Sequence, residues 1–155
     1  RPLGNPLAGP GWNGWGVDQA NTRFQPAAAA GLTAETVPKL TLKWAFGFPE
    51  GRQAFGQPTV VGGRVYVGSD TGFVYSLDAA TGCVYWSYQA KAAVRTAITI
   101  APVKAGGTSR FAVFFGDLKA NVYAIDAENA ALLWTRQADA HVVARITGAP
   151  ATTWP

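Results

Sequence analysis

Three residue types recur at one spacing, and that spacing constrains the fold more than anything else in the chain. Gly68 and Gly116, Asp78 and Asp126, and Trp86 and Trp134 are each separated by 48 residues. Three matching pairs at a single offset identify an internal repeat, and a period of roughly 40–50 residues is that of a propeller blade. Pro58, Pro102 and Pro150 are expected to open successive units, with a longer turn at 104–110 absorbing their unequal spacing.

Inside each unit the pattern is short strands joined by tight turns. Segments 59–61 and 64–67 flank Gly62-Gly63, a pair suited to the positive φ angles of a two-residue hairpin. Strands are predicted over 73–77 and 83–88, and in the second unit over 111–115, 121–125 and 131–136. Four antiparallel strands per unit make a β-propeller blade. No 3.6-residue apolar period crosses these segments, which excludes a helical solenoid. Asp78 and Asp126 are predicted to close their turns by accepting backbone N–H groups. Leu40, Leu42, Trp44 and Phe46 alternate like the face of a strand and resemble the last strand of each unit. The expected organisation is one partial all-β domain. It has a lead-in over 1–39, the closing strand of a blade over 40–48, blades over 57–90 and 99–138, and the start of another blade over 142–155. Propellers close with about 4–8 blades, so an incomplete ring is expected.

Composition narrows the function classes. Charged residues make up 14% and hydrophobic residues 48% of the 155-residue chain, which excludes disorder. Thirteen Lys and Arg against nine Asp and Glu leave a net charge of +4. The basic residues are scattered singly and give no nucleic-acid footprint. No apolar run approaches the ~18 residues of a membrane span. A single cysteine, Cys83, precludes an internal disulfide, and a single histidine, His141, precludes a multi-histidine metal cage. Cys83 is expected to be a small packing residue of a last strand, and His141 a surface residue. Lys104, Arg110 and Lys119 are expected to be solubilising charges beside turns, and GGRVYVG a hairpin rather than a phosphate loop. With no Met and no leader-like segment, the sequence is expected to be a processed or internal portion of a longer product.

The repeats LDAATGCVYW and IDAENAALLW are similar to the tryptophan-docking repeat of the pyrroloquinoline quinone (PQQ) propeller family. The opening WNGWGVDQANTRFQPAAAAGLTAETVPKLTLKWAF, with AFGQPTVVGGRVYVGS and VRTAI, resembles the propeller start of polyvinyl-alcohol dehydrogenase-like quinoproteins. The resemblance runs from Trp12 to the chain end. It implies an eight-bladed propeller whose periplasmic or secreted members oxidise alcohols, polymeric ones included, and pass electrons to a cytochrome c. PQQ, held by calcium, accepts hydride or a proton-coupled equivalent while a carboxylate base assists. PQQ is planar and carries several carboxylates, which guanidinium and hydroxyl donors suit. By resemblance, Arg95 in VRTAI and Thr147 in ITGAP are cofactor-binding residues. Phe55 stands where the alcohol dehydrogenases carry a Glu, with Gln57 as the nearby polar residue, and the adjacent-cysteine pair of many relatives is absent. The calcium ligands and the catalytic Asp of the family lie in later blades. No catalytic residue and no metal ligand is therefore assigned here, and the isolated chain is expected to be inactive and to bind PQQ weakly at best. The alternative is a non-catalytic scaffold similar to outer-membrane assembly propellers, which bind peptides or proteins. A ring cut on both sides is expected to self-associate, with no nucleic-acid partner and no membrane span.

Overall fold

The computed structural model describes residues 2–18, 20–105 and 107–152. Its eight strands fall into two sheets of the same plan. β1 (Thr59–Val61), β2 (Arg64–Gly68), β3 (Phe73–Asp78) and β4 (Val84–Gln89) form the first. β5 (Thr99–Ala105), β6 (Thr108–Gly116), β7 (Asn121–Asp126) and β8 (Leu132–Gln137) form the second. Both are antiparallel and ordered as in the chain, which is the blade plan expected from the repeat. Gly62 and Gly63 take φ 58° and 74°, the left-handed pair that a two-residue hairpin requires. Among the described residues, helix is limited to one turn at Ala27–Ala30 and a 3-10 turn at Val37–Lys39, both ahead of the sheets.

Strand register corrects the expected unit boundary. Thr59 pairs with Tyr66, whereas Thr99 pairs with Phe114. Tyr66 and Phe114 keep the 48-residue offset, but Thr59 and Thr99 are only 40 apart. The second unit therefore opens beside Ile98 and Thr99. Pro102 lies inside β5 opposite Phe111, on an edge strand where a missing N–H is tolerated. Segment 104–110 is not a longer turn, because Ala105 pairs with Thr108. Each strand of the second hairpin grows by four residues and the turn stays tight.

The first sheet is covered on both faces. Val61, Tyr66, Val74 and Trp86 pack with Ile100, Val113, Phe115, Tyr123 and Ile125 of the second sheet. On the opposite face Val67, Tyr75 and Leu77 meet Trp44, Phe46 and Phe48. Burial on both sides explains why β2 and β3 are nearly continuous apolar runs rather than alternating ones. Segment 40–48 enters no ladder. It lies across the first sheet by its aromatic residues, while Leu40 and Leu42 remain exposed.

The tryptophans dock forward. Trp44 Nε1 donates to the Ala79 carbonyl and Trp86 Nε1 to the Ala127 carbonyl, each at 3.2 Å. Both carbonyls sit in turns closed by the predicted aspartates. Asp78 Oδ1 accepts the Ala80 and Thr81 amides, and Asp126 Oδ1 accepts the Glu128 amide. Trp134 stands at the same register but is 41% exposed and meets no such carbonyl among the described residues. Two minor expectations are corrected as well. Arg110 is not merely a solubilising charge, since it pairs with Asp126 at 3.2 Å. Cys83 is exposed and precedes β4, so it packs nothing there. His141 is exposed in a local turn, its ring Nδ1 accepting the Val143 amide.

Candidate functional site

Arg95, expected from the sequence to bind the cofactor, lies just before the edge strand β5, and Thr147 lies in the segment that follows β8. Ahead of β5, and again over residues 146–150, the chain is pinned twice to the preceding unit, and the pins repeat. The Val94 amide donates to the Ser69 carbonyl at 3.0 Å, and the Ile146 amide to the Asp117 carbonyl at 3.1 Å. These side chains press on Gly68 and Gly116. A Cβ at Gly68 would lie 2.5 Å from Val94, and one at Gly116 2.4 Å from Ile146, which only glycine accommodates. Four residues further on, the Thr59 hydroxyl donates to the Ile98 carbonyl, and the Thr99 hydroxyl to the Pro150 carbonyl at 2.5 Å.

Arg95 and Thr147 lie between these pins, each directly after the pinned Val94 or Ile146. They occupy equivalent places on successive units, and register to β1 puts Phe55 at the same place one unit earlier. Thr147 is exposed. Arg95 is half-buried between Val94 and Thr96, which are both buried. Thr96 is itself fixed, its hydroxyl accepting the Gly116 amide at 3.2 Å. The Arg95 guanidinium lies 3.8 Å above the centre of the Phe55 ring. Among the described residues it forms no ion pair and no hydrogen bond. Gln57 is half-buried between Phe55 and the start of β1. Nothing described joins Arg95 directly to Thr147.

Two polar residues that the sequence did not single out organise the backbone nearby, one at the inner edge and one in the β6–β7 turn. Asn13 in the lead-in bonds the Ile100 backbone in both directions, each at 2.8 Å. Its neighbour Trp12 exchanges backbone bonds with Val60, and the Gly14 amide donates to Thr59 Oγ1. The lead-in thus ties β1 to β5. It also walls an open cleft of ≈ 330 Å³ with Thr99 and residues 149–152. Asp117 is the second. Its buried carboxylate accepts the Lys119 and Asn121 amides, the Asn121 side-chain amide and the Tyr123 hydroxyl at 2.7 Å. These bonds hold the turn between β6 and β7. Burial pushes the Tyr123 phenol well above its ordinary range, and the Asp117 carboxylate adds to that shift. Asp117 stands where the first unit has Ser69, so a lone acid with no repeat partner gave no signal. Asn13 had one, WNGWG, but its partner lies 87 residues away.

The donors that Arg95 and Thr147 carry suit an anionic ligand. Arg95 offers guanidinium N–H groups and Thr147 a hydroxyl, the chemistry a polycarboxylate quinone requires. No group of three or more His, Cys, Asp or Glu side chains that could hold a metal forms among the described residues. None of their helices is long and apolar enough to cross a membrane.

Comparison with known proteins agrees with the blade geometry. A PQQ-repeat family model described as outer membrane protein assembly factor BamB matches residues 17–154. The polyvinylalcohol dehydrogenase of Pseudomonas sp is 49% identical over 106 residues, 68% of this chain and 16% of that protein. The 1-butanol dehydrogenase (cytochrome c) of Thauera butanivorans is 33% identical over 81 residues, 52% of this chain and 11% of that protein. The crystal structure of quinohemoprotein alcohol dehydrogenase from Comamonas testosteroni superposes with TM-score 0.71 at 25% identity, covering 95% of this chain and 22% of its own. The chain thus spans about a sixth of the first of these relatives. The two four-stranded blades agree with these matches, and the chain belongs to the PQQ-type β-propeller family that includes the quinoprotein alcohol dehydrogenases.

Proposed function

We propose that this chain is the opening part of the propeller of a PQQ-dependent alcohol dehydrogenase, and that Arg95 and Thr147 contact the cofactor. The observation that carries the reading is the state of Arg95. Its backbone is fixed at the inner edge of a blade and its guanidinium pairs with no carboxylate among the described residues. An Arg edge left open at such a place suits a ligand carboxylate, which it binds through two parallel N–H bonds. Thr147, at the equivalent place one unit on, adds a hydroxyl that reaches solvent. Bound PQQ supplies the two-electron acceptor, while these residues bind and orient it. The calcium ligands and the catalytic base belong to parts of the protein outside this chain, which by itself is inactive.

The substrate class follows the relative named for polyvinyl alcohol, a polymer of secondary alcohols. The electron acceptor follows the relative named for cytochrome c. A periplasmic or secreted location fits both. The unit boundaries at 40–48, 57–90, 99–138 and 142–155, with the lead-in at 1–39, complete the proposal. The isolated chain associates with copies of itself, since Trp134, Leu132, Val142 and Val143 leave apolar surface exposed. The deciding experiment is a PQQ titration of the full-length protein that carries this segment. Arg95→Ala weakens binding at least tenfold and Arg95→Lys restores part of the loss. Unchanged affinity in Arg95→Ala removes Arg95 from the site.

A further inference from the structure

We propose that Phe55 is a positioning residue for Arg95: its ring carries the guanidinium plane and leaves the N–H edge facing outward for a ligand carboxylate. This rests on the reading of Arg95 as a cofactor contact. The argument starts from a second stacked arginine in the same chain. Arg64 lies 4.2 Å above the centre of the Tyr85 ring. Its edge is met by Glu128 Oε1 at 2.9 Å and by the carbonyls of Ala127 and Glu128 at 3.2 and 3.3 Å. In that case the ring takes the face and a carboxylate takes the edge. Arg95 repeats half of the arrangement. Its guanidinium carbon lies closer to its ring, at 3.8 Å, yet no carboxylate or carbonyl among the described residues meets its N–H groups. The missing half has the chemistry of a carboxylate.

The backbone around the pair is built for the contact. Gly56 follows Phe55, and a Cβ there would come within 2.8 Å of the Thr96 carbonyl. The glycine lets the segment before β1 close on the loop that carries Arg95. On the other side Val94 and Thr96 are both buried and hydrogen-bonded, so Arg95 cannot slide along the ring without disturbing two anchors. Phe55 itself is 40% exposed, so filling the core is not its main use. A long Arg side chain loses rotamer freedom on binding, and stacking beforehand removes part of that cost.

The test has one arm without cofactor and one with it. In NMR spectra of this chain, the Arg95 Hδ and Hε protons lie upfield through the ring current. They stay upfield in Phe55→Trp and move downfield in Phe55→Leu. Identical Arg95 shifts in wild type and Phe55→Leu overturn the proposal. In the full-length protein, PQQ titration gives about a two- to fivefold weaker affinity for Phe55→Leu, the fold-change equivalent to an exposed cation–π contact. Phe55→Trp retains the affinity. In an Arg95→Ala background Phe55→Leu causes no further loss, and a loss that persists there overturns the proposal. If Arg95→Ala leaves PQQ affinity unchanged, the cofactor reading fails and the ring-current shifts alone decide whether Phe55 positions Arg95.

Discussion

Asp78 is a surface carboxylate whose protonation reports on the fold. The Tyr85 hydroxyl, then the Thr81 hydroxyl and amide, donate to it and hold its pKa at about 2, against an ordinary 3.8. A carboxylate held below its unfolded value contributes stability that is complete above the unfolded pKa and lost as pH falls through the folded one. Between pH 3.8 and about 2 the melting temperature therefore falls more steeply in the wild type than in Asp78→Asn. Parallel acid profiles for the two proteins would remove Asp78 from the account. Tyr66 works at the other end of the scale. Burial first of all disfavours its phenolate and raises its pKa to about 12, from 10.0. That contribution is complete below pH 10 and is lost as pH rises through 12. Tyr66→Phe should flatten the alkaline limb of the stability profile, and an unchanged limb would place the alkaline transition elsewhere.

Among the elements, the docking tryptophans separate two kinds of position that the sequence makes identical. Trp86 is 9% exposed and hydrogen-bonded to the neighbouring unit, whereas Trp134 is 41% exposed. Trp86→Ala should cost about 3–5 kcal/mol, the range for large aromatic truncations in a core. Trp134→Ala in this chain should stay within about 1 kcal/mol, close to a surface substitution. Equal losses on urea denaturation would show that the two tryptophans are packed alike. Gly68→Ala tests the pin beneath Arg95. Its Cβ would overlap Val94 at 2.5 Å, so about 1–3 kcal/mol is lost, as in overpacked cores. Interior strands such as β3 and β7 were legible to within a residue because their apolar runs end at repeated turn residues. The longer β5–β6 hairpin was not. VKAGGTSR carries the composition of a turn, and only backbone pairing shows that most of it is strand. The places of Arg95 and Thr147 beside the pins were legible through VRTAI and ITGAP, while the bonds made by Asn13 and Asp117 were not. Both act by satisfying backbone groups, a role that leaves no repeat and no spacing behind.

For the molecule as a whole, the two faces of the sheet pair are unequal. The first sheet is covered by Trp44, Phe46 and Phe48, but the outer side of the second leaves Leu132 and Trp134 exposed. Light scattering at micromolar concentration should therefore give a mass above 16.3 kDa, and a monodisperse species of that mass would show the face is tolerated by a lone chain. The side-chain links between units also share a direction. Trp44 reaches Ala79, Thr59 reaches Ile98, Trp86 reaches Ala127 and Thr99 reaches Pro150, and in each of these four the donor precedes its acceptor in the chain. A ribosome makes the chain in that same order, and domains generally fold from the N-terminal end as they emerge. Each blade leaves the tunnel with its donors already placed and must wait for about forty more residues before they are satisfied. Translation speed across one repeat thus sets how long an unfinished edge stays open to the wrong partner.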